Sequence, residues 1–211
     1  MQRFQCGDVE ITKVVEWQGE IAPARRIIPG SPHSLWQENR SWLAPDHWDP
    51  DTDAYHGAVQ TWVLRSEGKT ILIDTGVGND RIRPQVPAFD HLQSGYLDRL
   101  AEAGVTPDDV DLVINTHIHY DHVGWNTRLR DGQWVPAFPN ATYLIPRTDK
   151  EYFDPRNAHR RRAPRDEAER RRVLERAADT GELVVPAHFV GASAAAVRRD
   201  GNRFAIGRWA G

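Results

Sequence analysis

The sequence of 211 residues has little cysteine and no long apolar run. The single cysteine, Cys6, excludes an internal disulfide bond and a zinc site built from several thiolates. No stretch approaches the roughly 20 apolar residues that span a bilayer. The N-terminus also lacks the basic head and apolar run of a secretory signal. We therefore expect a protein of a reducing compartment, the cytoplasm, with no membrane anchor.

A large excess of charge of one sign is also absent. The chain has 27 Lys and Arg residues and 30 Asp and Glu residues, interspersed, for a formal net charge of -3. Nucleic-acid binding usually relies on a broad basic field, which this pattern does not provide. The hydrophobic fraction of 39% is enough for one core. We predict one soluble domain over residues 1–211, with a small-molecule substrate as its partner and no role for nucleic acid or membrane.

Regular patterns occur on both sides of a long region without periodicity. Alternating or β-branched runs predict strands in DVEITKVVEW, AVQTWVLRS, KTILI, VDLVI, ATYLIP, ELVVPAHF and NRFAIG. The dipeptide Glu67-Gly68 predicts a hairpin turn between the second and third runs. Helical spacing over residues 92–101 predicts a helix stopped by Gly104, and an Arg-rich segment predicts a solvated helix ended by Gly181. The order of these elements predicts an α/β fold.

Residues 21–56 contain many Pro, Trp and His residues and follow neither a helical nor a strand period. So many tryptophans argue against disorder, so we predict a long ordered arm. Three interpretations of the arm stay open: its aromatic residues pack within the chain, cover a substrate pocket, or form a homodimer contact.

The stretch NTHIHYDHVGWN follows the buried run VDLVI and carries four coordinating side chains within six positions. His117 and His119 are two residues apart, so in extended backbone both imidazoles point to one side and can bind one ion. Asp121 and His122 follow as the chain turns, and can face a second ion. Imidazole and carboxylate ligands suit zinc, iron, manganese or cobalt, and the residues alone do not choose among them.

The motif HIHYDH, together with LIDTG upstream, resembles the metallo-β-lactamase superfamily. THIHYDHVGWN is similar to its lactonase-like metallo-hydrolases, and LVVPAHF is similar to the family's closing motif. The resemblance implies an αβ/βα sandwich with a mixed β-sheet and one or two divalent ions, zinc first. It implies this site: His117 and His119 for the first metal, Asp121, His122 and His188 for the second, and Asp74 as a partner that orients ligands.

The chain departs from the family pattern in its second half. Such enzymes have a further GHTPGH-like histidine for the first metal and a later aspartate that bridges both ions, and neither follows Phe153. Residues 154–166 therefore read as the join of an internal deletion, and the fold as truncated. His159 is the one histidine near this join, but neighbouring arginines would oppose the binding of a cation.

The resemblance implies a metal-dependent hydrolase that cleaves a lactone or another ester-type bond through a metal-bound hydroxide, with Asp121 as a catalytic residue. The missing ligands favour an alternative. In that alternative the chain is a degenerate, non-catalytic relative that retains partial metal binding and dimerises.

Overall fold

The computed structural model describes residues 1–160 and 167–210, without the side chains of residues 158–160 and 167–169. Its contacts divide the chain into two compact units. The described part of unit 1 is residues 1–16 and 59–160, and that of unit 2 is residues 17–58 and 167–210. The predicted join at 154–166 includes residues 161–166, which lie outside the described residues. The single domain and the deletion therefore stay predictions.

The strands and helices of the described residues have the following bounds. The strands are β1 (Arg3–Cys6), β2 (Val9–Pro23), β3 (Trp48–Asp49), β4 (Ala54–Ser66), β5 (Lys69–Ile73), β6 (Leu112–Ile114), β7 (Thr127–Arg130), β8 (Gln133–Pro136), β9 (Thr142–Leu144), β10 (Leu183–Val184), β11 (Ala194–Asp200) and β12 (Arg203–Ala210). The α-helices are α1 (Ala24–Ile27), α2 (His33–Glu38), α3 (Arg40–Leu43), α4 (Tyr96–Glu102), α5 (Arg147–Phe153) and α6 (Glu167–Thr180). Short 3-10 helices lie at Pro87–Phe89, Pro107–Asp109, Gly124–Asn126 and Pro155–Arg160.

Unit 1 contains a mixed sheet with the strand order β1-β2-β4-β5-β6-β9. β4 and β5 form the predicted hairpin, and its turn residues Glu67 and Gly68 have φ values of 50° and 74°. Two successive positive φ values match the twist of a tight antiparallel turn. β5, β6 and β9 are parallel to one another, so their carboxyl ends lie along one edge. The predicted α/β class with a mixed sheet is confirmed.

The core of unit 1 forms where α4 packs on this sheet. Tyr96 and Leu100 of α4 are fully buried with Leu72, Val113 and other apolar residues of the unit. α4 begins at Tyr96, later than the predicted start at residue 92. Residues before it are held in turns, in part because Asn79 exchanges hydrogen bonds with the backbone of Ser94. The predicted stop is confirmed, since Gly104 takes a φ of 76° that glycine adopts readily.

Unit 2 contains the predicted arm and the end of the chain. The arm is ordered, as expected, but it includes α1, α2 and α3 as well as irregular segments. Trp36 and Trp48 are 6% and 0% exposed and pack with Leu43 in one apolar cluster. Burial of these tryptophans supports the interpretation that the arm packs within the chain. The predicted final helix is confirmed as α6, which packs against β11.

Besides the three helices of the arm, the described residues contain elements that were not predicted from the sequence: β1, β3, β7, β8, β11 and α5. The hairpin of β7 and β8 is short and largely polar, and β11 begins with three alanines, which have little strand propensity. β11 nevertheless pairs with β10 and β12, so partner strands decide its conformation. None of the described helices has the length and apolar character needed to cross a membrane.

Candidate metal centre

The coordinating side chains of the motif lie in the loop that follows β6 at the carboxyl edge of the parallel strands. Bends and turns replace the extended backbone predicted for His117 and His119. The two rings still meet, with His117 Nε2 3.0 Å from His119 Nδ1. The ring of His117 also lies beside that of His122, with 3.9 Å between centroids. The loop therefore brings together the imidazoles that the sequence proposed as ligands.

Asp74 organises this loop from the end of β5. It has a φ of 57°, and its Oδ1 accepts a hydrogen bond of 2.7 Å from the backbone N–H of Thr116. Its Oδ2 accepts from the Thr116 hydroxyl at 2.8 Å and from His122 Nδ1 at 2.7 Å. Asp74 and His122 are both 3% exposed, so these bonds are shielded from water. The geometry fits the orienting role that the resemblance implied for Asp74.

These bonds fix which ring nitrogens carry protons. A carboxylate only accepts, so Nδ1 of His122 holds the proton and Nε2 carries the lone pair. The Thr116 hydroxyl donates to Asp74 and so accepts, at 3.0 Å, from Nδ1 of His117. Nε2 of His117 then also carries a lone pair. One aspartate thereby gives both rings the tautomer that a metal ligand needs.

The donor set near these rings suits a divalent cation. Asp121 Oδ2 lies 3.8 Å from His122 Nε2, and the Asp121 side chain is 20% exposed. Burial lowers the pKa of His117, and the adjacent His122 and His119 lower it further. A lowered histidine pKa favours the neutral ring that binds metal. Imidazole nitrogens next to a carboxylate oxygen are ligands that zinc and related ions accept, so the residues fit the metal that the family implies.

His188, the fifth predicted ligand, belongs to unit 2. Its Nδ1 lies 3.0 Å from the carbonyl oxygen of Ala58, and its own carbonyl accepts from the Ala58 N–H at 3.0 Å. A carbonyl only accepts, so Nδ1 of His188 holds the proton and Nε2 carries the lone pair. His188 thus has the same tautomer as His117 and His122. The side chain of His159 lies outside the described residues.

A buried glutamate lies behind the loop that carries Asp74. Glu16 is 3% exposed and accepts hydrogen bonds from the backbone N–H groups of Val77 and Gly78, from Ser94 Oγ and from Trp125 Nε1. Burial raises the pKa of Glu16, although each of these hydrogen bonds acts to lower it. Glu16 therefore fastens the loop after β5 to the segment after the histidine motif.

The two segments that Glu16 joins also bond directly to each other. The backbone of Thr75 donates to the carbonyl of His122 at 2.8 Å and accepts from the N–H of Trp125 at 2.8 Å. Gly124 donates to the carbonyl of Gly76 at 2.7 Å, and a Cβ at Gly124 would overlap the carbonyl of Val77. The close approach of the two backbones requires glycine at position 124. This close approach of the two segments keeps Asp74 beside His122.

Sequence reasoning found the motif and Asp74 but missed the residues that support them. Thr116 stands inside the quoted stretch, and its position beside His117 was the available signal. Glu16 interrupts an otherwise apolar strand end, in VVEW, and an acidic residue there was the signal for a buried carboxylate. Neither signal identifies a hydrogen-bond partner. Asp74 lies 42 positions from Thr116, and the partners of Glu16 lie at least 61 positions from it.

Comparisons with known proteins point to one superfamily. The model of the metallo-beta-lactamase superfamily matches residues 54–206. The N-acyl homoserine lactonase AttM of Agrobacterium fabrum is 36% identical over 66 residues, which are 31% of this chain and 21% of AttM. A match to the structure of AbOPH, a hydrolase in the beta lactamase superfamily, has a TM-score of 0.55, with 26% identity over 75% of this chain and 48% of AbOPH.

A third comparison concerns the fold alone. The structure of AidC, a dizinc quorum-quenching lactonase, matches with a TM-score of 0.70 and 13% identity, covering 99% of this chain and 96% of that one. The chain spans less than half the length of AttM and of AbOPH. Their activities therefore do not transfer to it directly.

Proposed function

The chain belongs to the metallo-beta-lactamase superfamily, and from this membership we propose that it is a metal-dependent hydrolase of a lactone or another ester-type bond. The observation that carries the proposal is the contact of Asp74 with His122 and, through Thr116, with His117. These bonds keep two imidazoles in the metal-binding tautomer, with His122 and Asp74 buried and His117 half-buried. A loop with a merely structural role has no need of such an arrangement.

The proposed ligands are those that the resemblance implied. His117 and His119 bind the first ion, and Asp121, His122 and His188 bind the second, with zinc as the expected metal. A bound ion supplies Lewis-acid activation of water and of the scissile carbonyl. Asp121 is the one carboxylate of the motif, with Oδ2 3.8 Å from His122 Nε2, and its proposed catalytic role is to accept a proton from the attacking water.

The surrounding residues hold these groups in place. Asp74 keeps the proton on Nδ1 of His122, so that Nε2, which carries the lone pair, is the nitrogen that faces the ion. The carboxylate of Asp149 in α5 accepts from the backbone N–H of Ile118 at 3.0 Å, which fixes the loop between His117 and His119. Fixed ligands do not have to be ordered again at each turnover, and this preorganisation lowers the barrier to hydrolysis.

Metal analysis and hydrolysis assays on one preparation test the proposal. We expect one or two zinc ions per chain by elemental analysis, and metal-dependent hydrolysis of a short lactone or an aryl ester. Asp121→Ala should lower both. His91→Asn should change neither, because His91 is an exposed histidine paired with Asp90 and stands apart from the motif in sequence.

Full metal loading without turnover on any lactone, ester or thioester would overturn the proposal. That result would support the alternative of a non-catalytic relative, which the missing family ligands favour.

Homodimerisation is a separate proposal. Ile28 and Leu35 of the arm are 53% and 36% exposed and offer apolar contact area. Light scattering tests it, with a mass of twice 24.0 kDa in its favour and a single monomeric species against it.

A further inference from the structure

A cavity of about 530 Å³ opens beside the histidine motif in unit 1. Its wall includes His119 and Tyr120 of the motif, Arg81 and Arg83 of the loop after β5, and Phe153 of α5. His119 is one of the proposed metal ligands. A group held in this cavity therefore lies against the proposed metal centre, where part of a substrate would be.

Arg83 brings a buried positive charge to this wall. It is 8% exposed, and its Nη1 donates to the carbonyl of Val77 at 2.8 Å while its Nη2 donates to the carbonyl of Tyr120 at 3.2 Å. Both acceptors are neutral. Burial lowers the pKa of Arg83, the direction expected for a desolvated cation, and the charges of Glu16 and Asp121 act in the opposite direction.

Arg81 brings a second charge with the same kind of partners. Its Nη2 donates to the carbonyls of Gly124 and Thr127 at 2.6 and 2.8 Å and to the Thr127 hydroxyl at 2.8 Å. Its guanidinium lies 3.7 Å from the centre of the Trp134 ring. Its Nε is buried and finds no acceptor among the described residues. Arg81 therefore has an N–H donor, at Nε, that no acceptor of the described residues satisfies.

Neither guanidinium forms an ion pair within the part of the chain that the structure describes. Arginine is rarely buried without a carboxylate, because removing the charge from water is costly unless an opposite charge compensates it. Here a buried Arg83 and a half-buried Arg81 line one cavity, and their charges repel each other. An anion that enters the cavity would offset both charges. Arginine is also the side chain best suited to grip a carboxylate or phosphate through paired N–H donors.

We infer that the Arg81–Arg83 cavity binds an anionic oxygen group of the substrate, and that the substrates are esters or lactones with a carboxylate near the scissile bond. The assignment of a substrate class rests on the proposed hydrolase function. The anion site itself rests on the cavity and its two unpaired guanidinium groups. Tyr120 and Phe153 give the cavity an aromatic wall for the carbon chain between carboxylate and scissile bond.

A purely structural role for the arginines makes a different prediction. Their bonds to backbone carbonyls brace the loops of the site, and loss of such a brace would weaken the hydrolysis of every substrate alike. An anion site instead changes the preference between charged and neutral substrates of one shape. The ratio of kcat/KM values for a matched pair therefore separates the two roles.

Monomethyl succinate and methyl butyrate are such a pair, because a carboxylate replaces the terminal methyl group, and the poor methoxide leaving group prevents that carboxylate from cleaving its own ester. We expect the zinc-loaded protein to prefer the succinate ester by about 10- to 100-fold in kcat/KM, the range of a charge-assisted hydrogen bond. Arg81→Gln should remove most of this preference, chiefly through KM, and Arg81→Lys should restore part of it. Arg130→Gln is the control, since Arg130 is exposed on β7 and does not line the cavity.

A binding measurement on the metal-free protein provides a readout that is independent of turnover. Isothermal titration with monomethyl succinate should give binding that Arg81→Gln weakens about tenfold or more, whereas methyl butyrate should not bind. Inorganic phosphate distinguishes the two sources of anionic oxygen. Tighter Arg81-dependent binding of phosphate than of monomethyl succinate would overturn the assignment of a carboxylate.

The outcomes separate this inference from the proposed function. Equal hydrolysis of both esters, with no Arg81-dependent binding of either anion, would overturn the inference and leave the hydrolase intact. Arg81-dependent binding of monomethyl succinate without hydrolysis of either ester would support the anion site and overturn the proposed function. Circular dichroism and the unfolding midpoint of Arg81→Gln show whether its fold is intact. If it does not fold, Arg81→Lys alone carries the test, with a reduced preference for the succinate ester expected.

Discussion

Nδ1 of His122 lies 2.7 Å from Oδ2 of Asp74, and the two side chains are 4% and 5% exposed. The bond joins two residues that are 48 positions apart, Asp74 directly after β5 and His122 in the loop that follows the neighbouring parallel strand β6. Because water is excluded, no solvent molecule can replace Asp74 as the acceptor. Asp74 therefore orients the His122 ring through a bond shielded from water, next to the contact of His122 with the His117 ring.

Asp74→Asn should lower zinc affinity by about 10- to 100-fold, the usual effect of losing a partner that orients a metal ligand. In the wild type, His122 and Thr116 both donate hydrogen bonds to Asp74. The amide of asparagine would bring N–H donors to face these donors, so that the hydrogen bonds would be lost. Competition with a chromogenic chelator measures the affinity. Asp111→Asn is the control, because Asp111 pairs with exposed Lys69 instead. Unchanged zinc affinity in Asp74→Asn would show that His122 is held by other contacts.

Thr116→Val should also weaken metal binding, by a smaller factor of about 3- to 10-fold, because the hydroxyl links Asp74 to His117. Valine has the shape of threonine without this link, and serine keeps it. Titration with Co²⁺, followed by its visible absorption, gives the affinity and the symmetry of the site. If Thr116→Ser bound metal as weakly as Thr116→Val, the hydroxyl would not be the link between Asp74 and His117.

Alanine substitutions of the five proposed ligands should have unequal effects. Asp121, His122 and His188 form a complete set of three in the proposed site, whereas His117 and His119 lack the family's third histidine. Loss of one member of the set leaves two ligands, below the three protein ligands of an open zinc site. Zinc per chain should therefore fall more for the first group. Equal falls for all five would mean that another residue, such as His159 or a histidine of a second chain, completes the first site.

Glu16 should make stability depend on pH in a direction opposite to that of most carboxylates. Its folded pKa lies above its ordinary value of 4.5, so the folded state retains a proton that the unfolded state has already lost. This contribution is fully present below about pH 4.5 and is lost as the pH rises through the raised pKa. Denaturant unfolding of wild type and Glu16→Gln across pH 4 to 8 measures it. The difference in unfolding free energy should shift against the wild type as pH rises, and a constant difference would refute the assignment.

Gly124→Ala should destabilise unit 1, because its Cβ would overlap the backbone of Val77 and Gly78. The backbone cannot move aside as a side chain can. We therefore expect Gly124→Ala to lower the unfolding free energy by about 1–3 kcal/mol. Gly95→Ala is the matched control, since its Cβ would make only an ordinary contact with Asp98. Similar unfolding midpoints for the two variants would contradict the close backbone approach. Zinc affinity should fall in Gly124→Ala alone, because the same approach holds Asp74 beside His122.

The sequence by itself determined the elements that depend on local pattern, and it indicated the proposed ligands. Residue types repeat with the period of a strand or helix, so KTILI, VDLVI and the glycines after α4 and α6 could be read directly. The histidine motif could also be recognised from the sequence, because its four coordinating side chains lie within six positions of one another. Asp74 was found through the family resemblance, since an aspartate at the end of a strand is by itself ambiguous.

Tertiary structure decided everything that depends on contacts between distant residues. Glu16 reaches Val77 and Trp125 across 61 and 109 positions, and Arg81 reaches Thr127 across 46. A polar residue in a strand or an arginine in a loop is usually solvated, and only the fold shows that Glu16 is buried, that Arg81 is half-buried and what each of them contacts. Periodicity records which side of an element faces the core. It does not record which distant backbone groups meet there, and in this protein those contacts hold the histidine motif and form the cavity beside it.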